Sequence, residues 1–289
     1  MRHHFQPPYL VTLLIVGALG VLMSSANPAR ANTADNNDTK ELSGTILIVG
    51  NGPERYLIEI LAQEFEERHP WTSIDVFWHP NAKPAKAVLD GEADIGVSGD
   101  THPQLRSIPV ARDGIAILVN FSNPIENLTL QQVAAIFSGK IKFWSEIEEE
   151  APQARIRLIT RATNQNIRQG FEKLLGIAGQ IPRSARLAGT EQQAINLVAG
   201  DLNSITFVSM APALRAKEDG IPVKLLFING VEPEYQTVLD NRYPLQRPIV
   251  FLTKPSPPPI VTAFIDFVLS DDGQRLMKRG KFYPLKEIY

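Results

Sequence analysis

The sequence predicts an α/β fold with enough chain for two lobes, and three observations lead there. Strand-like runs alternate with amphipathic stretches: Thr45–Val49 is β-branched and apolar, and Leu57, Ile58, Leu61, Ala62 and Phe65 follow at helical spacing. The run from Gly114 to Val119 is continuously apolar, long enough for a strand buried on both faces and too short for an ordinary helix. With 289 residues, 44% of them hydrophobic and 21% charged, the chain is long for one compact core and ordinary in composition for a globular protein.

The first 31 residues stand apart from the fold. Arg2, His3 and His4 form a basic start, Leu10 to Met23 an apolar run, and Ala29-Arg30-Ala31 a small-x-small signature, so cleavage of a secretory signal peptide is expected after Ala31. The apolar run, interrupted by Gly17 and Gly20, is shorter than the roughly 20 residues that span a bilayer. Removing Arg2 and Arg30 from the 29 Lys and Arg leaves 27 basic against 31 acidic residues, a net charge of −4. That balance offers no surplus for nucleic acid. There is no cysteine, which excludes thiol catalysis, Cys-ligated metal and a lipidated N-terminal cysteine. A signal peptide without that cysteine points to a free protein in the periplasm of a diderm bacterium.

Along the remaining chain, residues 32–43 read as a polar, flexible mature terminus. Gly50-Asn51-Gly52-Pro53 turns the first strand into a helix, with Pro53 suited to its first position. Ile74–Trp78 is a second strand, followed by a helix that ends near Leu89 and a short strand reaching Ser98. Beyond the Gly114–Val119 strand, Thr129 opens a helix in which Leu130, Val133, Ala134 and Phe137 share one face, and Ser138-Gly139 ends it. Ile156–Thr160 is a strand, a helix runs on through Phe171 and Leu175, Gln192–Val198 is another helix and Ser204–Val208 a strand. Ile249–Leu252 is the last strand, Ile260–Leu269 a helix presenting Phe264, Phe267 and Val268 to a core, and Ser270–Gly273 the turn before a second helix. Glu148–Glu150 is a solvated loop.

Several of these segments, in register, resemble substrate-binding proteins of the phosphate ABC-transporter family. They include Ile136–Lys140 with Trp144, the run LDGEADIGVSGD from Leu89 to Asp100, Gly230-Val231-Glu232-Pro233, Tyr243-Pro244-Leu245 with Arg247-Pro248, Asp272-Gly273-Gln274 and Tyr283-Pro284-Leu285. The likeness extends from about Gly44 to Leu285. It implies a two-lobed periplasmic-binding-protein-like clamshell of type II, each lobe a mixed sheet flanked by helices. Residues 44–119 and 246–289 would form lobe one and residues 120–245 lobe two, with the Gly114–Val119 strand crossing between them. Phe137 and Trp144 are expected as core aromatics, and Phe207 as the filler of a place the family gives to Tyr.

In open α/β sheets the cleft at strand ends and helix N-termini holds the ligand, and free backbone NH groups there favour an anion. The resemblance implies three anion-gripping loops, so the candidate ligand-binding residues are Asn51 and Gly52 in the first, Asn81 and Lys83 in the second, Ser98 and Asp100 at a strand end, and Arg161 with Gln165 and Asn166 in the third. The family's hydroxyl-bearing residues are missing from these loops: Gly52 and Pro53 replace a Ser-Thr pair, and Gln165, Asn166 and Ile167 replace Ser-Gly-Thr after the Arg. Three donors to a charged ligand, at roughly 1.5–3 kcal/mol each, amount to about a thousandfold or more in affinity. Lys83 and Arg55 near two helix starts are candidates to restore positive charge, and the longer amides of Asn81 and Gln165 suit a ligand that is not a bare tetrahedral ion.

The leading reading is therefore a periplasmic solute receptor for phosphate or a similar oxyanion, gripped by Arg161 with Asp100 accepting a ligand proton. It is a monomer that closes over its ligand by hinge motion and docks on an ABC permease in the inner membrane. The alternative is a sensor or partner-binding protein on the same scaffold that has lost transport. An enzyme is disfavoured: His69, His79 and His102 have no metal spacing, and neither a G-x-S-x-G elbow nor a P-loop is present. No cofactor is expected.

Overall fold

The computed structural model describes residues 42–285. The predicted signal peptide 1–31, its cleavage site and residues 32–41 of the predicted mature terminus lie outside the described residues, and Leu42 packs against a hydrophobic core. The chain opens with β1 (Gly44–Gly50), α1 (Arg55–Arg68), β2 (Thr72–Trp78), α2 (Pro84–Asp90), β3 (Ile95–Ser98) and the long β4 (Arg106–Asn120). A middle section follows of β5 (Asn127–Leu128), α3 (Leu130–Phe137), β6 (Arg157–Thr160), α4 (Asn166–Leu174), β7 (Arg186–Leu187), α5 (Glu191–Ala199), β8 (Ser204–Ser209), α6 (Met210–Glu218), β9 (Val223–Leu225), β10 (Phe227–Ile228) and α7 (Tyr235–Leu239). It returns through β11 (Gln246–Thr253) and closes with α8 (Pro259–Leu269) and α9 (Asp271–Arg279).

Two strands join the lobes. The main sheet runs β2-β1-β3-β11-β4-β8-β6-β7, with β9 also on β4. From Arg106 to Gly114, β4 pairs antiparallel with β11; from Ile115 onward it pairs with β8, and from Leu118 also with β9. A strand hydrogen-bonded at each end to a different lobe must be apolar on both faces, and Val110–Val119, Arg112 apart, is buried throughout. The apolar side chains sort accordingly. One core takes β1, α1, β3, α8 and the first half of β4, and the other takes the second half of β4 with α3, α4, α5, β8 and α6.

Local chemistry explains most element ends. The five apolar residues of α1 named from the sequence are all buried, as one helical stripe should be. Thr129 caps α3 through a capping box with Gln132. In the second core Phe171 stacks on Phe207 with ring centroids 4.1 Å apart, and Phe137 meets both edge-on. Phe137 and Trp144 are core aromatics, as expected.

Two boundaries differ from the sequence reading. Helix α1 starts at Arg55, not Pro53: Glu54 is the N-cap residue, its carbonyl accepts the first helical bond from Ile58 N, and its side chain is drawn inward to an arginine. Ser270–Gly273 is not a separate turn but the start of α9, with Ser270 Oγ accepting from Gly273 N.

Gly114 sits where β4 changes partners, and a Cβ there would lie 2.8 Å from Val238 Cγ2 and 3.1 Å from Met210 Cε. Beside it, Tyr243 OH donates to Ile115 O at 3.1 Å and helps fix the crossing. Val238 is β-branched and fully buried, so it has little freedom to yield. Gly114→Ala is expected to cost about 1–3 kcal/mol by overpacking, read from the midpoint of equilibrium urea unfolding.

Candidate functional site

The loops after β1 and β3 and the start of α4 face one another between the lobes. Asn51 is the hub of the contact. Its Nδ2 donates to Ala82 O at 3.0 Å and to Asn164 O at 2.8 Å, while its Oδ1 accepts from Asn166 N at 3.2 Å. Asn164 Nδ2 donates back across the cleft to Pro80 O at 2.7 Å. A helix N-terminus is a natural anion site. Here the first NH of α4 is taken by the Asn51 amide.

Behind this contact lies a buried chain of charges. Arg247 on β11, 1% exposed, pairs with Glu54 and at 2.9 Å with Asp113 on β4. Glu54, fully buried, also accepts from Asn166 Nδ2 of the other lobe at 3.1 Å. Asp113 accepts from Ser209 Oγ at 2.7 Å, and Ser209 N donates to Glu191 at 2.8 Å. Glu191 faces Arg161, whose Nη1 lies 3.2 Å from Glu191 Oε1. Arg161 Nε donates to Gln165 Oε1 at 2.8 Å, and its Nη2 to Gly189 O.

Three carboxylates thus face two guanidiniums. Burial pushes the Asp113 and Glu191 carboxyls above the usual range; Arg247 opposes the rise at Asp113 and Arg161 opposes it at Glu191. Burial also draws Arg161 below its ordinary value, with Glu191 pulling the other way. At Arg247 burial acts downward too, but Glu54 and Asp113 together outweigh it and hold the guanidinium above its ordinary value.

The predicted site residues divide into three groups. Asn51, Lys83, Ser98 and Asn166 line one cavity of about 320 Å³ between α2, the end of β3 and the start of α4, together with Lys86, His102, Asn164 and Gln169. Arg161 and Gln165 are buried at the end of β6 and bonded to each other, outside that cavity. Gly52, Asn81 and Asp100 do not line it either.

Gly52 is required by close approach, since a Cβ there would lie 2.0 Å from Asn166 Oδ1. Asn81 is exposed, and its backbone NH donates to His79 Nδ1. Asp100 is held by Lys173 of α4 at 2.7 Å, so the expected ligand-proton acceptor is an ion-pair partner instead. Arg161 likewise, expected to grip an anion, already has the Glu191 carboxylate beside it. Arg55 pairs with Glu59 on the surface of α1 and brings no charge to the cleft.

Sequence reasoning missed Glu54, Asp113, Glu191 and Arg247 as a connected set. Arg247-Pro248 was part of the resemblance, but nothing local says that Arg247 meets a carboxylate 193 positions away. Glu54, beside the start of the first helix, was not singled out at all. Among the described residues no group of His, Asp and Glu is arranged to hold a metal ion, and no helix is long and apolar enough to cross a membrane.

Residues 29–272 match the PBP superfamily domain. The chain is 24% identical over 286 residues to the phosphate-binding protein PstS of Bacillus subtilis, covering 95% of this chain and 93% of that one. It superposes with a TM-score of 0.74 at 25% identity on a candidate phosphate ABC transporter substrate-binding protein of Clostridium perfringens solved with phosphate bound, covering 84% of this chain and all of that one. An ABC-type phosphate transport receptor of Vibrio cholerae shares the fold with a TM-score of 0.73 at 22% identity, over 83% of this chain and all of that one.

Two outcomes follow from the buried and bridging charges. Glu54→Ala leaves Arg247 with one carboxylate in a dry site and is expected to cost about 3–5 kcal/mol in urea unfolding. At Asp100, burial raises the carboxyl pKa, but the hydrogen bonds from Lys173 and Thr101 and the Lys173 charge together outweigh it, and the net shift is downward. Its contribution is therefore present above the ordinary carboxylate pKa and lost as pH falls through the lowered value. Asp100→Asn should lower the unfolding midpoint at pH 7 in low salt, by an amount that shrinks as the pH falls below the ordinary carboxylate pKa of about 3.9 and in about 1 M salt.

Proposed function

The chain belongs to the PBP superfamily, and on that premise we propose that it is an extracytoplasmic solute-binding receptor of the phosphate ABC-transporter kind. It takes a small anion between its lobes and hands it to an ABC permease in the inner membrane. It binds its solute without transforming it. The observation that carries the reading is the cavity of about 320 Å³ between the lobes, with Lys83 and Asn51 on one wall and Asn164, Asn166 and Gln169 on the other. The PstS relative and the phosphate-bound neighbour support the anion class. Phosphate or a phosphate-like oxyanion is the ligand this class implies, and a secreted, periplasmic monomer the form in which it works.

We draw the lobe boundary at Gly114–Ile115 rather than at Val119–Asn120, because β4 exchanges β11 for β8 there. Closure would then be a bend in β4 and β11, where Gly114 pairs with Gln246.

A second reading has its own observation. Arg161 and Arg247, the buried cations beside the cleft, both face internal carboxylates. That arrangement favours a sensor or partner-binding protein that keeps the scaffold and needs no solute.

Thermal unfolding separates the two. Inorganic phosphate, other oxyanions and phosphorylated metabolites are added in turn; a ligand at a hundred times its dissociation constant stabilises the native state by about 2.7 kcal/mol, or roughly 5–10 °C for a chain of this size. A rise with any of these anions, reduced in Lys83→Ala, supports the receptor. A transition unmoved by all of them sinks it in favour of the second reading.

A further inference from the structure

We infer that the solute is a phosphorylated organic molecule with a hydroxyl- or amide-bearing body, and that bare inorganic phosphate is the weaker ligand. This rests on the receptor reading and names the substrate class of the same cleft.

The first argument is charge. A bare tetrahedral anion is held by buried positive groups and donors that surround it, and the buried guanidiniums near this cleft each already face an internal carboxylate. Arg247 lies between Glu54 and Asp113, Arg161 beside Glu191, the Asn166 amide on Glu54, and the first NH of α4 on Asn51. With three carboxyl groups beside two guanidiniums, neither arginine carries an unmatched positive charge for a ligand. A further anion among them adds a like charge in a poorly solvated place. Space agrees with charge, because the Asn166 and Glu54 side chains fill the position that any Cβ on Gly52 would need.

The second argument is the wall of the open cavity. None of its lining residues is a carboxylate, and it carries Lys83 and Lys86 from α2. Lys86 is paired with Asp90, whereas the Lys83 ammonium has no partner among the described residues. The remaining polar wall is neutral: Asn51, Asn164, Asn166 and Gln169 amides, the Ser98 hydroxyl and His102. His102 Nδ1 accepts from Gln104 N at 3.3 Å, which leaves the other ring nitrogen for a ligand. Gln169 is exposed and its amide makes no bond within the protein.

The third argument is size. About 320 Å³ corresponds to about ten waters at ~30 Å³ each. A five-atom oxyanion leaves most of that space to solvent, whereas the volume lies at the lower end of small-molecule sites, roughly 300–1,000 Å³. One unpaired ammonium for a phosphoryl group, with the Gln169 amide, the Ser98 hydroxyl and His102 for a polar body, describes a ligand with both parts. Amides and a hydroxyl discriminate such a body because each left unpaired on binding is costly.

Isothermal titration of the protein with inorganic phosphate, glycerol 3-phosphate, glucose 6-phosphate and glucose tests this. At least one of the two organic phosphates is expected to bind about tenfold or more tightly than inorganic phosphate, with glucose silent. Lys83→Ala is expected to weaken the organic phosphate about tenfold, the scale of one charge-assisted contact. Gln169→Ala should weaken the organic phosphate and leave inorganic phosphate unmoved. Both positions are exposed, and unchanged unfolding midpoints check that the fold is intact. Inorganic phosphate binding as tightly as the organic phosphates overturns the inference and leaves the receptor reading standing. Silence with all four compounds, and with the wider anion panel of the thermal assay, overturns both.

Discussion

A guanidinium with no water around it organises the middle of this molecule. Arg247 comes from the strand that returns to lobe one, Asp113 from the strand that leaves it, and Glu54 from the cap of the first helix. Taking three such groups out of water costs several kcal/mol each, so they persist only because they meet one another. Glu54 also reaches the Asn166 amide at the head of α4. One charge therefore fixes the crossing strands against each other and ties the first βα loop of one lobe to the first helix turn of a site on the other.

From that fixed point the rest of the cleft follows. Asp113 passes the network through Ser209 to Glu191 and so to Arg161, which places both cleft arginines in a single buried chain. An arginine at a strand end offers a ligand less unmatched positive charge when an internal acid lies beside it. Here each has one. The phosphate-receptor scaffold is retained in β4, β11 and the two cores, while the charges at its centre are balanced from within.

The elements were legible because they rest on local pattern. The apolar stripe of α1, the Thr129–Gln132 cap and the doubly buried run of β4 each announce themselves within a dozen residues. The residues of the cleft mouth were legible as well, since Asn51, Lys83, Ser98 and Asn166 sit at the turn positions where α/β sheets present ligand groups. What the sequence did not display was pairing across distance. Arg161 stands where a cleft arginine should stand, but the acid beside it opens a helix that begins thirty positions later and was predicted to start at Gln192. Asp100 looks like a free acid until α4 brings Lys173 to it. Small hydroxyl and glycine positions replaced by Asn, Gln and Pro marked the anion loops as changed; only the fold shows that the changes meet each other.

That meeting bears on how the lobes move. A ligand shifts a two-state equilibrium only by its differential affinity for the two states. In this structure the lobes already share the Asn51–Asn166, Asn51–Asn164, Asn164–Pro80 and Glu54–Asn166 hydrogen bonds and the Asp100–Lys173 ion pair. Each favours closure whether or not a solute is present. A solute seated at the cavity beside α2 and α4 adds its contacts to a closure the protein has largely made for itself. Its influence therefore depends on bonds reaching both walls at once, from Lys83 on one lobe to Asn164 and Gln169 on the other. A small ion resting on one wall binds both states alike and leaves the lobes where they are.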